Sequence, residues 1–254
     1  MAQLKEICRW MDERLQTGRF GKDVSNNGLQ VQGNPEVRRI IAGVDGCQAL
    51  FRAAADRDAD LVIVHHGISW GSEPRRFAGS VGRQMAMLFG NGISLYAAHL
   101  PLDSHPEIGN NALLADLAGA VEKEAFFPLD GNCIGTLARL PEPVSPAELA
   151  ERFRALPGCE PKVFVPEEGV FDRVSFLSGS GGTWALQDSL AADCRLVVTG
   201  EFTHVMYHFA RENGIAVIAL GHYASETVGI RALLAEVTKE FALDGEFIHI
   251  PTGL

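Results

Sequence analysis

Seven residues of metal-binding type follow closely after four apolar segments that we predict to be strands. They are His65, His66, His99, Asp103, Glu201, His222 and Glu226. Neutral imidazole and carboxylate are ligands for zinc, iron, manganese or nickel, whereas the thiolates typical of a structural zinc site are absent from the set. The residue types therefore point to metal chemistry before any fold is assigned.

The four segments, each quoted through the first of these residues that it reaches or the adjacent pair, are "LVIVHH", "ISLYAAH", "RLVVTGE" and "IAVIALGH". Ligands of open parallel sheets bind beyond the carboxyl ends of the strands, so we expect the four strand ends to meet at one edge of a sheet. His222 and Glu226 are four residues apart and share one face if a helix begins near residue 222. Two metal ions about 3.5–4 Å apart could share a water there and promote a hydrolytic displacement.

Each residue taken alone has a plainer interpretation. A histidine at a strand end, such as His99, is usually a hydrogen-bonded loop residue. Glu226 alone would be a surface charge or a carboxylate stabilised by the helix dipole. The collection of the whole set at strand ends is what favours a metal site over these alternatives.

Strands of β-branched residues alternate with helices of about a dozen residues through most of the chain. "RRIIAGVD", "CQALFRAAADRDA" and "DLVIVHH" form the first strand–helix–strand unit, and "FTHVMYHFARENG" with "IAVIALGH" repeats the pattern near the end. This alternation predicts an α/β fold with a largely parallel sheet. The amino-terminal segment "LKEICRWMDERL" has its apolar residues at helical spacing and predicts an amphipathic helix.

The middle of the chain has a different pattern. "GNCIGTLARL" predicts a strand, "PEPVSPAELAERFRAL" a helix with Ser145 as N-cap, and "PKVFVPEEGVFDRVSFLSG" two short strands. We therefore expect residues 126–195 to form a smaller inserted α+β domain, and residues 1–125 and 196–254 to form the metal-binding α/β domain. "SGSGGTWALQ" predicts a tight strand-to-helix turn, although such helix starts can also hold phosphate.

Composition excludes several classes of protein. The net charge of −10 disfavours nucleic acid as a partner. Five widely spaced cysteines without a CxxC pair indicate reduced thiols. No apolar stretch is long enough for a membrane span, and the charged amino terminus lacks a signal core, so we expect a cytoplasmic protein without a membrane partner.

The order and spacing of several motifs resemble the Nif-three-like family, whose members are often called GTP cyclohydrolase I type 2 homologues. The motifs are "DVSNNGLQVQG", "LVIVHHG", "AAHLPLDSHPEIGNNALLA", "FLSGSGG", "TGEFTH" and "ALGHYASETVGIRAL". They cover almost the whole chain. Many relatives have His-His-Pro where this chain has His65-His66-Gly67, and many have a second histidine where Val205 follows His204.

The resemblance implies two interlaced α/β parts and a toroidal homohexamer built as a trimer of dimers. It also implies two divalent ions, such as Fe, Zn, Mn, Ni or Co, held by a set of five ligands. The family's ligands match His65, His66, Asp103, His222 and Glu226. His99 and Glu201 match family positions beside the metals, and we assign them proton-transfer or supporting roles.

Two hypotheses about function follow. The first is a metal-dependent hydrolase of a nucleotide or related phosphorylated small molecule, with ring opening of GTP as one example and phosphoester cleavage as another. The second is a non-catalytic, ring-shaped metal-binding or adaptor protein. Turnover by metal-loaded protein distinguishes the two.

Overall fold

The computed structural model describes residues 1–71, 76–164 and 169–254. The chain forms two compact units. The first contains Met1–Leu102 and Ile230–Ile250, and the second contains Asp103–Gly229 and Pro251–Leu254. These units divide the chain differently from the predicted domains, because residues 103–125 and 196–229 lie with the middle segment rather than with the amino-terminal part.

Strands and helices alternate through much of both units. The strands are β1 (Ala2–Gln3), β2 (Gly28–Val31), β3 (Glu36–Val37), β4 (Arg39–Asp45), β5 (Leu61–His66), β6 (Ser94–Ala97), β7 (Glu122–Leu129), β8 (Asn132–Val144), β9 (Lys162–Phe164), β10 (Phe171–Leu177), β11 (Leu196–Thr199), β12 (Ala216–Ala219) and β13 (Asp244–Phe247). The helices are α1 (Leu4–Leu15), α2 (Gln48–Ala55), α3 (Gly79–Gly90), α4 (Leu100–Asp103), α5 (Asn110–Leu117), α6 (Pro146–Glu151), α7 (Gly182–Ala191), α8 (His204–Glu212), α9 (His222–Ser225) and α10 (Thr227–Phe241), with a 3-10 helix at Thr17–Phe20.

The main sheet of the first unit has the strand order β13-β4-β5-β6-β2. The pairs β13–β4, β4–β5 and β5–β6 are parallel, and β2 pairs antiparallel with β6 at the edge. Residues Leu61 to Val64 of β5 are fully buried. Such a strand, covered on both faces, is typical of parallel sheets and explains the continuous apolar run in its sequence.

The sheet of the second unit has the strand order β7-β8-β10-β11-β12-β9. β10, β11 and β12 pair in parallel, whereas β7–β8, β8–β10 and β12–β9 are antiparallel. Its core includes Phe153, Phe176 and Val198, all without solvent exposure. The protein is therefore a mixed α/β protein with more than one sheet.

The prediction that the four strands followed by candidate metal ligands end at one edge of one sheet is wrong. β5 and β6 belong to the first unit's sheet, and β11 and β12 belong to the second unit's sheet. Local sequence patterns identify strands but do not say which strands pair, because pairing depends on contacts between distant segments.

The middle of the chain differs from the prediction in two places. β7 was not predicted, and the "PEPV" segment continues β8 instead of opening a helix. The N-cap prediction is confirmed, since the Ser145 hydroxyl accepts from the Glu148 backbone N–H and the Glu148 carboxylate accepts from the Ser145 backbone N–H. The two predicted short strands are β9 and β10, and residues 165–168 between them lie outside the described residues.

All five cysteines have free thiols. Among the helices in the described parts of the chain, none combines the length and apolar character that crossing a membrane requires.

Candidate metal centre

The two histidines of β5 lie at its carboxyl end and are held by the neighbouring strands. β5 continues through His66 instead of ending before His65. The Nδ1 atom of His65 lies 2.7 Å from the carbonyl oxygen of Ala98, just after β6. The parallel register places Asp45 of β4 opposite His66, and the Nδ1 atom of His66 lies 2.9 Å from Asp45 Oδ1. Each ring is therefore fixed by a different adjacent strand.

His99 is held by a buried carboxylate from the loop that precedes β2. Its Nδ1 lies 2.9 Å from Asp23 Oδ1, and the Asp23 side chain has no solvent exposure. Asp23 also accepts from the Asn27 amide and from the backbone N–H groups of Ser25 and Leu100. Burial opposes ionisation of Asp23, but the hydrogen bond and charge of His99, with the other donors, hold its pKa below the ordinary value.

The three imidazoles form one group within the first unit. One ring nitrogen from each of His65, His66 and His99 lies within 4.8 Å of the others, and the ring centroids are 4.6–5.6 Å apart. An acceptor at Nδ1 requires a proton there, so in the neutral ring Nε2 carries the lone pair. Orientation of a histidine through one nitrogen by a carbonyl or carboxylate is the usual arrangement around a bound metal.

Gly67 lies directly against the side-chain amide of Gln30. A Cβ atom at this position would lie 2.3 Å from Gln30 Oε1, the same oxygen that accepts from the backbone N–H groups of Ile68 and Ser69. The Trp70 indole donates to the Gly67 carbonyl and packs edge-on against His99, with ring centroids 5.3 Å apart. The segment after β5 is thus shaped by packing around the histidines.

In the second unit, a histidine lies between two carboxylates. Glu201 follows β11, and its Oε1 lies 2.6 Å from Nδ1 of His222, which begins α9. The Nε2 atom of His222 lies 3.3 Å from Oε1 of Glu226, whose side chain is buried. The hydrogen bond to Glu226 raises the pKa of His222 to about 9, with Glu201 adding to the effect and burial acting against it.

Asp103 is buried in the same unit and is held by two donors. Its Oδ1 accepts from the Asn110 amide at 2.8 Å and from the Ser178 hydroxyl at 3.0 Å. The Asn110 carbonyl oxygen in turn accepts from the backbone N–H of Gly229. Asp103 is therefore a fixed carboxylate, the form in which Asp acts as a metal ligand.

The glycine-rich turn after β10 packs directly on these residues. Gly179 has a φ of +62°, and a Cβ there would lie 2.4 Å from Glu226 Oε1 and 3.2 Å from His222 Nε2. Its N–H donates to Ser225 Oγ, and its carbonyl accepts from the Glu201 N–H. Because Ser178 bonds Asp103, one turn contacts both carboxylates. The prediction of a tight strand-to-helix turn is confirmed, since α7 begins at Gly182.

The seven predicted residues are divided between the two units. The first unit contains His65, His66 and His99, which form one group, and the second unit contains Asp103, Glu201, His222 and Glu226. Asp23, Asp45 and Ser178, which hold these residues by hydrogen bonds, were not predicted from the sequence. Asp45 carried the same strand-end signal as the histidines, whereas Asp23 lies in a segment whose Asn and Gly content indicated only a loop.

The residue types in both units are those of divalent-metal sites. The first unit offers three oriented imidazoles, and the second unit offers His222 beside the buried carboxylate of Glu226, all among the ligand types of zinc and iron. The protein therefore has His and His/Glu groups that could bind metal.

Comparisons with known proteins agree with this description. A profile of the family described as Duf34/NIF3 (NGG1p interacting factor 3) matches residues 2–252. Two similar proteins are each named "GTP cyclohydrolase 1 type 2 homolog". The protein from Archaeoglobus fulgidus is 40% identical over 253 residues, covering 99% of each chain. The protein from Pseudomonas aeruginosa is 41% identical over 248 residues, covering 98% of this chain and 97% of its own.

A solved structure has the same fold. It is described as protein ybgI of unknown function, and it superposes with a TM-score of 0.90 at 36% sequence identity over the full length of both chains. Profile, sequence and structure all match over essentially the whole chain. The protein belongs to the Duf34/NIF3 family.

Proposed function

We propose that the chain binds two divalent metal ions and hydrolyses a nucleotide or a related phosphorylated small molecule. The proposed ligands are His65, His66, Asp103, His222 and Glu226. The observation that carries the proposal is the orientation of His65 and His66 through Nδ1 by oxygens of the two neighbouring strands, which is the usual arrangement of metal-binding histidines.

The residues of the second unit support the same proposal. Glu226 is buried beside His222, and Gly179 leaves no room for a side chain between the turn and this pair. A divalent ion bound by Glu226 and His222 would replace the proton of His222 as the positive charge beside this buried carboxylate. Bound divalent ions lower the pKa of water and stabilise negative charge on oxygen during hydrolysis.

Two further residues have supporting roles in this proposal. Glu201 accepts from Nδ1 of His222, which fixes the ring and keeps a carboxylate beside the site for proton transfer. Asp23 holds His99 in the same way, so His99 is the second candidate for moving a proton. The proposal also includes a toroidal homohexamer arranged as a trimer of dimers, as the resemblance implies.

The test is an assay of metal-loaded protein against GTP and a panel of phosphoesters. Fe²⁺, Zn²⁺, Mn²⁺, Co²⁺ and Ni²⁺ are loaded separately. We expect turnover by the native chain and a loss of more than about a hundredfold in Asp103→Asn, which replaces a proposed ligand without changing its size. Asp116→Asn is the matched control, because Asp116 pairs with Lys123 on the exposed surface.

Equal turnover by Asp103→Asn and the native protein would contradict the proposed role of Asp103. Two bound ions without turnover on any substrate would instead support the non-catalytic metal-binding or adaptor protein.

A further inference from the structure

A cavity of about 840 Å³ lies within the second unit, beyond the carboxyl ends of β11 and β12. Gly200 and Glu201, directly after β11, line it, as do Leu220 and Gly221, directly after β12. Ligands bind beyond the carboxyl ends of parallel strands, and ligand cavities have volumes of roughly 300–1,000 Å³. The position and the size are those of a small-molecule pocket.

Two aromatic rings form part of its wall. Phe164 at the end of β9 and Phe202 after β11 stack with ring centroids 4.6 Å apart and an angle of 28° between the ring planes. Both side chains are half-buried. Aromatic rings lining a pocket favour ligands that contain a flat ring system, because planar rings stack on their faces.

The charged lining residues include both signs. Arg154 and Lys162 are cations, and Glu160 and Glu201 are acids. Arg154 pairs with Glu151, which leaves Lys162 as the better-placed partner for a ligand anion. Cations bind phosphate, and carboxylates accept from the N–H groups of a ring or from sugar hydroxyls. A flat ring with N–H donors, a sugar and a phosphate matches this combination.

We propose that this cavity binds the nucleotide on which the protein acts, with the base against Phe202 and the phosphates beside Lys162. The inference rests on the proposed function and adds the location and the recognition residues of its substrate. Glu201 connects the two, because it lines the cavity and its Oε1 also accepts from Nδ1 of the proposed metal ligand His222. A nucleotide in the cavity would therefore contact a residue that touches the proposed metal centre.

The test measures binding to the full chain after its metal has been removed with a chelator. Titration calorimetry with GTP, guanosine and inorganic triphosphate separates the base from the phosphates. We expect Phe202→Ala to weaken GTP and guanosine on the order of tenfold. Lys162→Ala should weaken GTP by up to about fivefold and leave guanosine unchanged. Phe89→Ala, at an exposed phenylalanine of the first unit, is the control and should change neither.

Phe202→Leu is a control for loss of folding, because leucine keeps apolar bulk against Phe164 but removes the aromatic face. We expect it to unfold at the temperature of the native protein and still to weaken GTP and guanosine. Native affinity in Phe202→Leu would overturn the proposal, as would an equal loss of guanosine and GTP in Lys162→Ala, or no binding of any probe by the native chain.

The experiments distinguish a wrong proposal about the pocket from a wrong proposal about hydrolysis. Binding that depends on Phe202 without turnover of metal-loaded protein supports the pocket and contradicts hydrolysis. Turnover with unchanged binding in the Phe202 variants supports hydrolysis and overturns the pocket.

Discussion

The candidate ligands of the two units are prepared for metal in different ways. In the first unit, His65, His66 and His99 each have an oxygen acceptor at Nδ1, which orients each ring through a single nitrogen. In the second unit, His222 lies between Glu201 and Glu226, which favour its protonated form. A metal must displace that proton before His222 can bind it. The first-unit rings are therefore each held at one nitrogen, whereas His222 is held by carboxylates at both nitrogens and must lose a proton to bind a metal.

The largest expected effect is on the first unit's histidines. His65→Leu keeps a side chain of similar size in the core of β5 but removes a proposed ligand, so we expect metal affinity to fall by more than about a hundredfold. Competition against a chromophoric chelator measures the change. His208→Leu, on the exposed surface of α8, is the control. An affinity for His65→Leu within about threefold of the native value would remove His65 from the site.

The glycine-rich turn after β10 provides a test of metal binding in the second unit. Gly179→Ala would push the added methyl group against the Glu226 carboxylate, and we expect metal affinity to fall by about ten- to a hundredfold. Gly182→Ala is the matched control, because Gly182 also has a positive φ, of +57°, but a Cβ there would meet only Trp184 Cδ1, at an ordinary contact distance of 4.0 Å. Equal losses in the two variants would show that backbone strain, and not displacement of Glu226, is responsible.

A comparison within the first unit tests the carboxylates that hold the rings. Asp23 is buried with several donors, whereas the side chain of Asp45 is 38% exposed. We expect Asp23→Asn to lower the free energy of unfolding of chelator-treated protein by about 2 kcal/mol. Asp45→Asn should cost less than about 0.5 kcal/mol. Denaturant unfolding at neutral pH measures both, and an equal or larger cost for Asp45→Asn would show that the buried Asp23 is not the stronger support.

The smallest expected effect is a pH dependence in the second unit. The pKa of His222 is raised from 6.5 to about 9 in the folded protein. Its charge therefore stabilises the metal-free fold fully below pH 6.5, and the contribution fades as pH rises towards 9 and is lost above it. We expect the stability difference between the native chain and His222→Gln to shrink over this range, with His208→Gln as control. A difference that grows with pH would contradict the raised pKa.

Much of the fold could be predicted because local sequence patterns determine it. The apolar run of β5 and the helical spacing of α1 correspond closely to the observed elements. β7 was missed because "EKEAFFPL" is charged and mostly exposed at the edge of its sheet, so it lacks the apolar signal of a buried strand. The division into two sheets is set by long-range pairing, which no local pattern records.

The candidate site also contains residues that could be predicted from local sequence patterns and residues that could not. Strand ends identified the histidines and carboxylates, because polar residues after buried strands are conspicuous. The residues that orient them were not identifiable in this way. Asp23 lies in a turn-like segment, and Gly179 matters because of the φ angle and the close approach that only the folded backbone reveals.

Anomalous diffraction at the metal absorption edge, from crystals of the metal-loaded protein, would locate the bound ions directly. We expect two ions per chain whose ligands are His65, His66, Asp103, His222 and Glu226. The absence of metal at these residues, or a single ion bound by His65, His66 and His99 alone, would contradict this expectation.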